Sequence, residues 1–343
     1  MKTLYCILFS MILITSCAST QQTTVPAVAS STAVQNTAVT QPASPTRSPD
    51  FTASPIPSIP PQASETQAPE PTASLTATVP PTATPSPQPT LAPDQWKKLP
   101  VVPTISDTVV QIYRQGLQSG NNPRAFSKVG DCGSTPAWFL GDFDRGPLFY
   151  RLGSYEQLTG VIQEFQGSFG RTSLAARSGF NAAALFVTLW ADHTYCHTNE
   201  TPLACEYRIH KPVIAFIMLG TNDVWHPAEF EPDMRKIIEY SIDNGIVPIL
   251  STKADNTEGD FRINATIAQL AQEYDIPLWN FWLAMQSLPD QGLQEDKAHL
   301  TWARNFFDDP EAMTKAWPIR NLTALQILDA VWRKVTADYN ISK

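Results

Sequence analysis

An unbroken apolar run at residues 213–219 ends abruptly in Gly-Thr-Asn-Asp at 220–223. Near-continuous apolar and β-branched residues are typical of a strand that is buried on both faces, as in a parallel sheet. Ligands of open α/β sheets bind just beyond the carboxyl ends of such strands. A functional site is therefore expected where this run stops.

The rest of the hydrophobic pattern alternates between helical and extended periodicity. Apolar residues at helical spacing predict helices, and short apolar runs predict strands. The alternation indicates βαβ units and a mostly parallel sheet, which places the chain in the α/β class. The predicted helices span 108–118, 155–165, 182–190, 232–243, 261–274 and 322–335, and the predicted strands span 126–129, 213–219, 246–250 and 277–281.

The first 17 residues have the features of an export signal. They contain one cation, Lys2, an apolar run too short to cross a bilayer, and small residues at the end. The sequence Ile-Thr-Ser-Cys at 14–17 resembles a bacterial lipobox, which predicts that Cys17 is lipidated and becomes the new N-terminus. The protein would then sit on the extracytoplasmic face of a cell membrane, held by several acyl chains. The alternative is an ordinary signal peptide with a chance cysteine.

Composition divides the remaining chain in two. Residues 18–94 are rich in Pro, Thr, Ser and Ala and cannot bury enough apolar surface to fold, so they are predicted to be a disordered linker. Residues 95–343 regain Trp, Phe and Ile and are long enough for one α/β domain, expected to be monomeric. The net charge of −8 and the absence of a basic stripe argue against nucleic acid as a partner.

The five cysteines have different expected roles. Cys6 leaves with the signal peptide and Cys17 carries the lipid. Cys196 and Cys205 flank a short loop that contains a proline, and outside the cytoplasm they are predicted to form a disulfide. A zinc site built from these two cysteines with two nearby histidines, His193 and His197, is the alternative. Because nothing else clusters there, no metal and no cofactor are predicted.

Cys132 remains, in the block Gly-Asp-Cys at 130–132 that follows a predicted strand. A second block, Asp-Lys-Ala-His at 296–299, lies just before the closing helix. Asp296 and His299 are three residues apart, so the carboxylate can orient the imidazole as a base. Asn222, in the turn after the central strand, offers an amide that can donate to an oxyanion. Lys253 and Asp255 follow the predicted strand 246–250 at the same end of the sheet, and they are expected to form a surface ion pair.

These blocks, in this order, resemble those of the SGNH or GDSL-type hydrolase superfamily over about residues 126–332. The family's Gly-Asp-Ser block falls on 130–132, its oxyanion glycine on Gly179, its Gly-x-Asn-Asp block on 220–223 and its Asp-x-x-His block on 296–299. The resemblance implies a three-layer α/β/α sandwich with a mostly parallel central sheet, and an esterase that acts on a small-molecule ester or an acylated glycan. It implies the catalytic residues Cys132, His299 and Asp296 and an oxyanion hole formed by Cys132, Gly179 and Asn222.

The departure from the family is the cysteine that stands at the position of the nucleophilic serine. Three hypotheses follow. Cys132 is a working thiol nucleophile; or the site is altered and the protein is a non-catalytic module that binds a glycan or another ligand; or Ser134, two residues further on, attacks instead.

Overall fold

A computed structural model describes residues 91–341 of the 343-residue chain. The signal peptide, the lipidation site Cys17 and nearly all of the linker predicted over 18–94 lie outside the described residues, and they stay predictions. Within the described part, no helix combines the length and the apolar character that crossing a bilayer requires.

A parallel four-stranded sheet forms the centre of the domain. Its strand order is β1-β3-β4-β5, and every neighbouring pair is parallel. All seven residues of β3 are buried, as the apolar run predicts for a strand covered on both faces. A small second sheet pairs β2 with β6. The strands are β1 (Asn122–Gly130), β2 (Tyr150–Arg151), β3 (Pro212–Met218), β4 (Val247–Ser251), β5 (Leu278–Trp279) and β6 (Asn305–Phe306).

Helices cover both faces of the central sheet. The helices are α1 (Asp107–Gln118), α2 (Thr159–Glu164), α3 (Pro202–His210), α4 (Pro227–Asp243), α5 (Arg262–Glu273), α6 (Phe281–Met285) and α7 (Ala316–Ile341). The crossovers through α3, α4 and α5 all step across the sheet in the same direction, so the right-handed rule puts these helices on one face. Helices α1, α2 and α6 pack against α7, and α1 also contacts β3 and β4 from the other side. The fold is thus the predicted α/β/α arrangement.

Two local predictions were wrong, and one helix was missed. The helix predicted over 182–190 is two short 3-10 turns, because Val187 has an extended backbone between them. The strand predicted over 277–281 ends early, because the Asn280 side chain accepts a hydrogen bond from Leu283 N and starts α6. Helix α3 was not predicted; Thr201 caps it by accepting from Ala204 N, and a proline occupies its first turn.

The predicted disulfide between Cys196 and Cys205 is present. It joins the loop before α3 to the helix itself. Among the described residues, Cys196, Cys205 and Glu200 form the one group of metal-ligating side chains that approach closely enough to hold an ion. Both sulfurs are consumed by the disulfide, and His193 and His197 are exposed, so the zinc alternative is not supported.

Candidate active site

The carboxyl ends of the central strands open into one cavity of about 310 Å³. Cys132 follows β1, Asn222 follows β3, Lys253 follows β4, and Phe281 follows β5; each of these residues lines the cavity. This is where parallel α/β sheets place their ligands, because each βα turn delivers side chains to the same edge. The cavity volume suits a small ligand.

Cys132 lies in a tight turn directly after β1. Asp131 accepts a hydrogen bond from Gly133 N at 2.9 Å and thereby caps the single 3-10 turn Cys132–Ser134. Burial raises the pKa of the Asp131 carboxyl. The Cys132 side chain is partly exposed and reaches the cavity wall, and it takes no part in the disulfide.

Ser134 lies on the other side of this turn. It is fully buried and is not among the cavity-lining residues, and a Cβ added at Gly130 would lie 2.2 Å from its Oγ. This position disfavours the hypothesis that Ser134 attacks, because its hydroxyl does not face the cavity. The sequence spacing alone could not separate the two side chains, because the direction of each depends on the turn.

His299 lies at the cavity rim in the loop before α7. Its Nδ1 is 2.5 Å from Asp296 Oδ2, and its backbone N–H donates to Asp296 Oδ1 at 3.0 Å. The backbone hydrogen bonds from His299 and Ala298, together with the contact to the ring, lower the pKa of Asp296 to about 2. Asp296 therefore stays ionised and holds the ring through Nδ1.

Gly179 occupies a turn that runs beside the end of β1. Gly130 N donates to Ala175 O, and Arg177 N donates to Gly130 O, so this segment extends the edge of the sheet. Phe180 N then donates to Arg177 O at 3.1 Å, and Gly179 sits at the third position with φ +84°. A positive φ at this position favours glycine. The turn brings Gly179 to the cavity wall.

The turn after β3 also requires its glycine. Gly220 has φ +127°, and a Cβ there would lie 2.7 Å from Ile263 Cγ2. The two last residues of the block tie this turn to the Gly179 segment. Asn222 Nδ2 donates to Phe180 O at 2.8 Å, and Asp223 Oδ1 accepts from Ala182 N at 2.8 Å. An amide nitrogen carries two hydrogens, so Asn222 keeps a second one for the cavity.

Lys253 and Asp255 are buried, so the expected surface ion pair is wrong. Lys253 Nζ lies 2.6 Å from Asp255 Oδ1 and 2.5 Å from Glu258 Oε2. The other oxygen of Asp255 accepts from Thr221 Oγ1 at 2.8 Å. This charged cluster therefore holds the turn that carries Asn222 at Thr221, in addition to the hydrogen bond from Asn222 to Phe180. Its position after β4 was visible in the sequence, but its burial was not.

Arg320 is a cavity-lining residue that the sequence did not reveal. It lies on α7 and is 8% exposed. Its Nη1 donates to Gly133 O at 2.9 Å, directly behind the Cys132 turn. A single arginine on an amphipathic helix carries no sequence signal of such a role.

The structure thus brings Cys132, Gly179, Asn222 and His299 to one cavity, with Asp296 bonded to the histidine ring. The chemical roles that the sequence predicts for them are not tested by this placement. The arrangement can, however, supply a sulfur nucleophile, a base and several N–H donors to one cavity.

Solved structures with a similar fold include a GDSL-like lipase from Bacteroides thetaiotaomicron and an acetylxylan esterase from Geobacillus stearothermophilus. The lipase is 14% identical, and the match covers 64% of this chain and 98% of the lipase, with a TM-score of 0.38. The esterase is 16% identical, with 61% and 95% covered and a TM-score of 0.39. No protein-family model matches the chain, and no curated protein matches it. Values this low assign neither a family nor an activity.

Proposed function

We propose that this protein is an SGNH-type ester hydrolase that uses the Cys132 thiol in place of the family's serine. One observation carries the proposal: Cys132 and His299 line the same small cavity, and Asp296 orients the histidine. A site that only bound a ligand would have no need of an oriented base beside a thiol.

The reaction is acyl transfer to water. Nε2 of His299 takes the proton of the Cys132 thiol, and the sulfur attacks the ester carbonyl carbon to form a tetrahedral adduct. The adduct collapses to a thioester as the C–O bond breaks, and the imidazolium gives its proton to the leaving alkoxide. Water, deprotonated by the same imidazole, then attacks the thioester. The acid is released, and the proton returns to the sulfur.

The oxyanion of each adduct is held by N–H donors from separate loops. These are the backbone N–H groups of Cys132 and Gly179 and the side-chain amide of Asn222. Two hydrogen bonds, from Asn222 to Phe180 and from Ala182 to Asp223, join the two loops. They fix the Gly179 N–H and the Asn222 amide relative to each other. Donors held in place before the reaction stabilise the oxyanion without reorganisation, and one such donor is worth about 100-fold or more in rate.

The substrate is a small-molecule ester or an acylated glycan, since the cavity of about 310 Å³ accommodates a short acyl group at the thiol. The enzyme works as a monomer without a cofactor on the extracytoplasmic face of a cell membrane, where the lipid on Cys17 and the proline-rich linker carry it. The lipobox-like sequence at 14–17 supports this location.

The second candidate function is a ligand-binding module with an altered site, and the cysteine at the nucleophile position favours it. Hydrolysis of p-nitrophenyl acetate by the full chain separates the two. We expect steady turnover that is lost in Cys132→Ala and after iodoacetamide, but kept in Ser134→Ala. The serine variant is the matched control, because its hydroxyl is buried beside the same turn.

Cys132→Ser gives a further distinction. If the wild-type chain releases only one equivalent of nitrophenol, while Cys132→Ser turns over steadily, the native thiol is acylated but does not complete hydrolysis, and the hydrolase proposal fails. Tight binding of a glycan without any turnover would support the binding module. If neither chain turns over any ester, the hydrolase proposal fails.

A further inference from the structure

We infer that Arg320 is a positioning residue that stabilises the thiolate of Cys132. The catalytic purpose of that thiolate rests on the proposed function. The observation behind it is a buried guanidinium directly behind the nucleophile turn, in the wall of the same cavity. Within the SGNH pattern found in the sequence, no block contains this residue.

Arg320 is held by neutral groups. Its Nη1 donates to Gly133 O at 2.9 Å, and its Nη2 lies 3.3 Å from Met218 Sδ. Three aromatic rings surround the guanidinium, with centroids 5.1 to 5.4 Å from its carbon: Phe139, Phe281 and Trp317.

The carboxylate that acts on this guanidinium is Asp131, which makes no hydrogen bond to it, and the buried Nε has no hydrogen-bond partner among the described residues. Buried charges in proteins are normally paired, because desolvation of an isolated charge is unfavourable. Burial accordingly lowers the pKa of Arg320 to about 10, which still leaves it a cation at neutral pH. An incompletely compensated cation beside a thiol favours the thiolate.

The other charged groups that face the cavity come from three segments. Asp131 precedes Cys132, Lys253 and Asp255 follow β4, and His299 lies in the loop before α7. Lys253 is paired with both Asp255 and Glu258, so this cluster has a formal net charge of −1 and opposes Arg320 at the sulfur. Asp131 opposes Arg320, but burial raises the pKa of that carboxyl and disfavours its charged form.

The start of α7 is fixed relative to the catalytic loop, so that Arg320 is held in place. Thr301, two residues after His299, accepts a hydrogen bond from Trp317 N at 3.1 Å through its carbonyl. Its hydroxyl accepts another from Ala316 N at 3.0 Å. The histidine loop, the arginine and the Cys132 turn therefore form one connected unit.

A cysteine nucleophile benefits from such a cation more than a serine does. A thiol can exist as a thiolate before the substrate arrives, whereas a serine hydroxyl gives up its proton only as it attacks. Arg320 thus explains how this chain can function with sulfur at a position where the family has oxygen.

The test is the pH dependence of Cys132 alkylation by iodoacetamide in the full chain, followed by mass spectrometry of the tryptic peptide 129–145, in which Cys132 is the single cysteine. The main variant is Arg320→Gln, which removes the charge but keeps an N–H donor for Gly133. Arg320→Lys keeps the charge. Arg262→Gln, which breaks an exposed pair with Asp260, is the matched control.

We expect wild-type alkylation to have its midpoint below that of an ordinary cysteine. Arg320→Gln should raise the midpoint by about one pH unit or more, so that alkylation at about pH 6.5 slows about 10-fold. Arg320→Lys should stay within about 3-fold of wild type, and the control should be unchanged. An unchanged midpoint in a folded Arg320→Gln protein overturns the inference.

Arg320→Met decides the matter if Arg320→Gln does not fold, because its apolar side chain suits the three aromatic rings around this position. The alkylation midpoint should rise in this variant as well. An unchanged midpoint in the folded Arg320→Met protein counts against an electrostatic role for Arg320. Alkylation needs no ester, so the thiolate result stands apart from turnover. If the wild-type chain hydrolyses the ester steadily but its alkylation midpoint is that of an ordinary cysteine, the inference about Arg320 is wrong and the proposed function stands. If the alkylation midpoint is low but no ester is hydrolysed, only the proposed function is wrong.

Discussion

Asp223 is buried in the turn after β3, and its charge should cost stability at neutral pH. The residue is 3% exposed; Oδ1 accepts from Ala182 N, and Oδ2 is buried without a hydrogen-bond partner among the described residues. Burial raises the pKa of this carboxyl from its ordinary value of 3.8 to about 6. Replacement by asparagine keeps an oxygen for Ala182 and removes the charge.

The sign follows from proton binding. Between pH 3.8 and about 6 the unfolded chain has lost the proton of Asp223 while the folded chain retains it. The folded state binds more protons, so stability falls as the pH rises through this range and then levels off. The difference between the two pKa values corresponds to about 3 kcal/mol. An asparagine side chain cannot titrate, so the free-energy difference between the Asp223→Asn variant and wild type should shift by about 2 kcal/mol in favour of the variant between about pH 4 and pH 7.

Urea unfolding of both proteins at pH 4, 5.5 and 7 measures this difference. The amide hydrogens of the variant add an offset of about 1–3 kcal/mol if they lack acceptors, but this offset does not change with pH. Asp260→Asn is the control, because Arg262 lowers the pKa of that exposed carboxyl below its ordinary 3.8, so the free-energy difference for this variant should change little between about pH 4 and pH 7. If the free-energy difference for Asp223→Asn is the same at all three pH values, the reasoning from burial is refuted.

Three further predictions concern the turns and the disulfide. Asn222→Ala should slow ester hydrolysis about 100-fold or more while leaving the rate of Cys132 alkylation unchanged, and slower alkylation would indicate a collapsed site instead. Replacing both Cys196 and Cys205 by serine should lower the free energy of unfolding in urea by about 2–3 kcal/mol, and an unchanged value would show that the bond does not constrain the chain. Gly220→Ala should lower that free energy by about 1–3 kcal/mol, because the added Cβ would contact Ile263 in α5 and because the positive φ of this residue is unfavourable for alanine. A urea midpoint equal to that of wild type would contradict this.

Hydrophobic periodicity predicted the central sheet and the long helices, because it reflects burial on one face or on both. The prediction failed where a few polar contacts decide local structure. Asn280 ends β5 and starts α6 through one side-chain hydrogen bond, and Thr201 starts α3 in the same way. Such caps involve single residues and leave no periodic pattern.

The candidate site shows the same division. The blocks at 130–132, 220–223 and 296–299 could be found in the sequence, because short polar turns after apolar strands stand out. The choice between Cys132 and Ser134 could not be made there. The two residues are two positions apart in a tight turn, yet Cys132 lines the cavity and Ser134 is buried. The path of the backbone through the turn decides this difference.

The amino-acid sequence by itself determined the α/β class, the parallel sheet edge at which polar turns gather, the disulfide partners and the chemical groups available. Only the tertiary structure decided which groups meet. It buried Lys253 beside Asp255. It also joined segments far apart in the chain, by closing the Gly179 turn against Asn222 and by placing Arg320 behind Cys132. Contacts of this kind depend on how helices and loops pack across the sheet, and local sequence patterns carry no information about that packing.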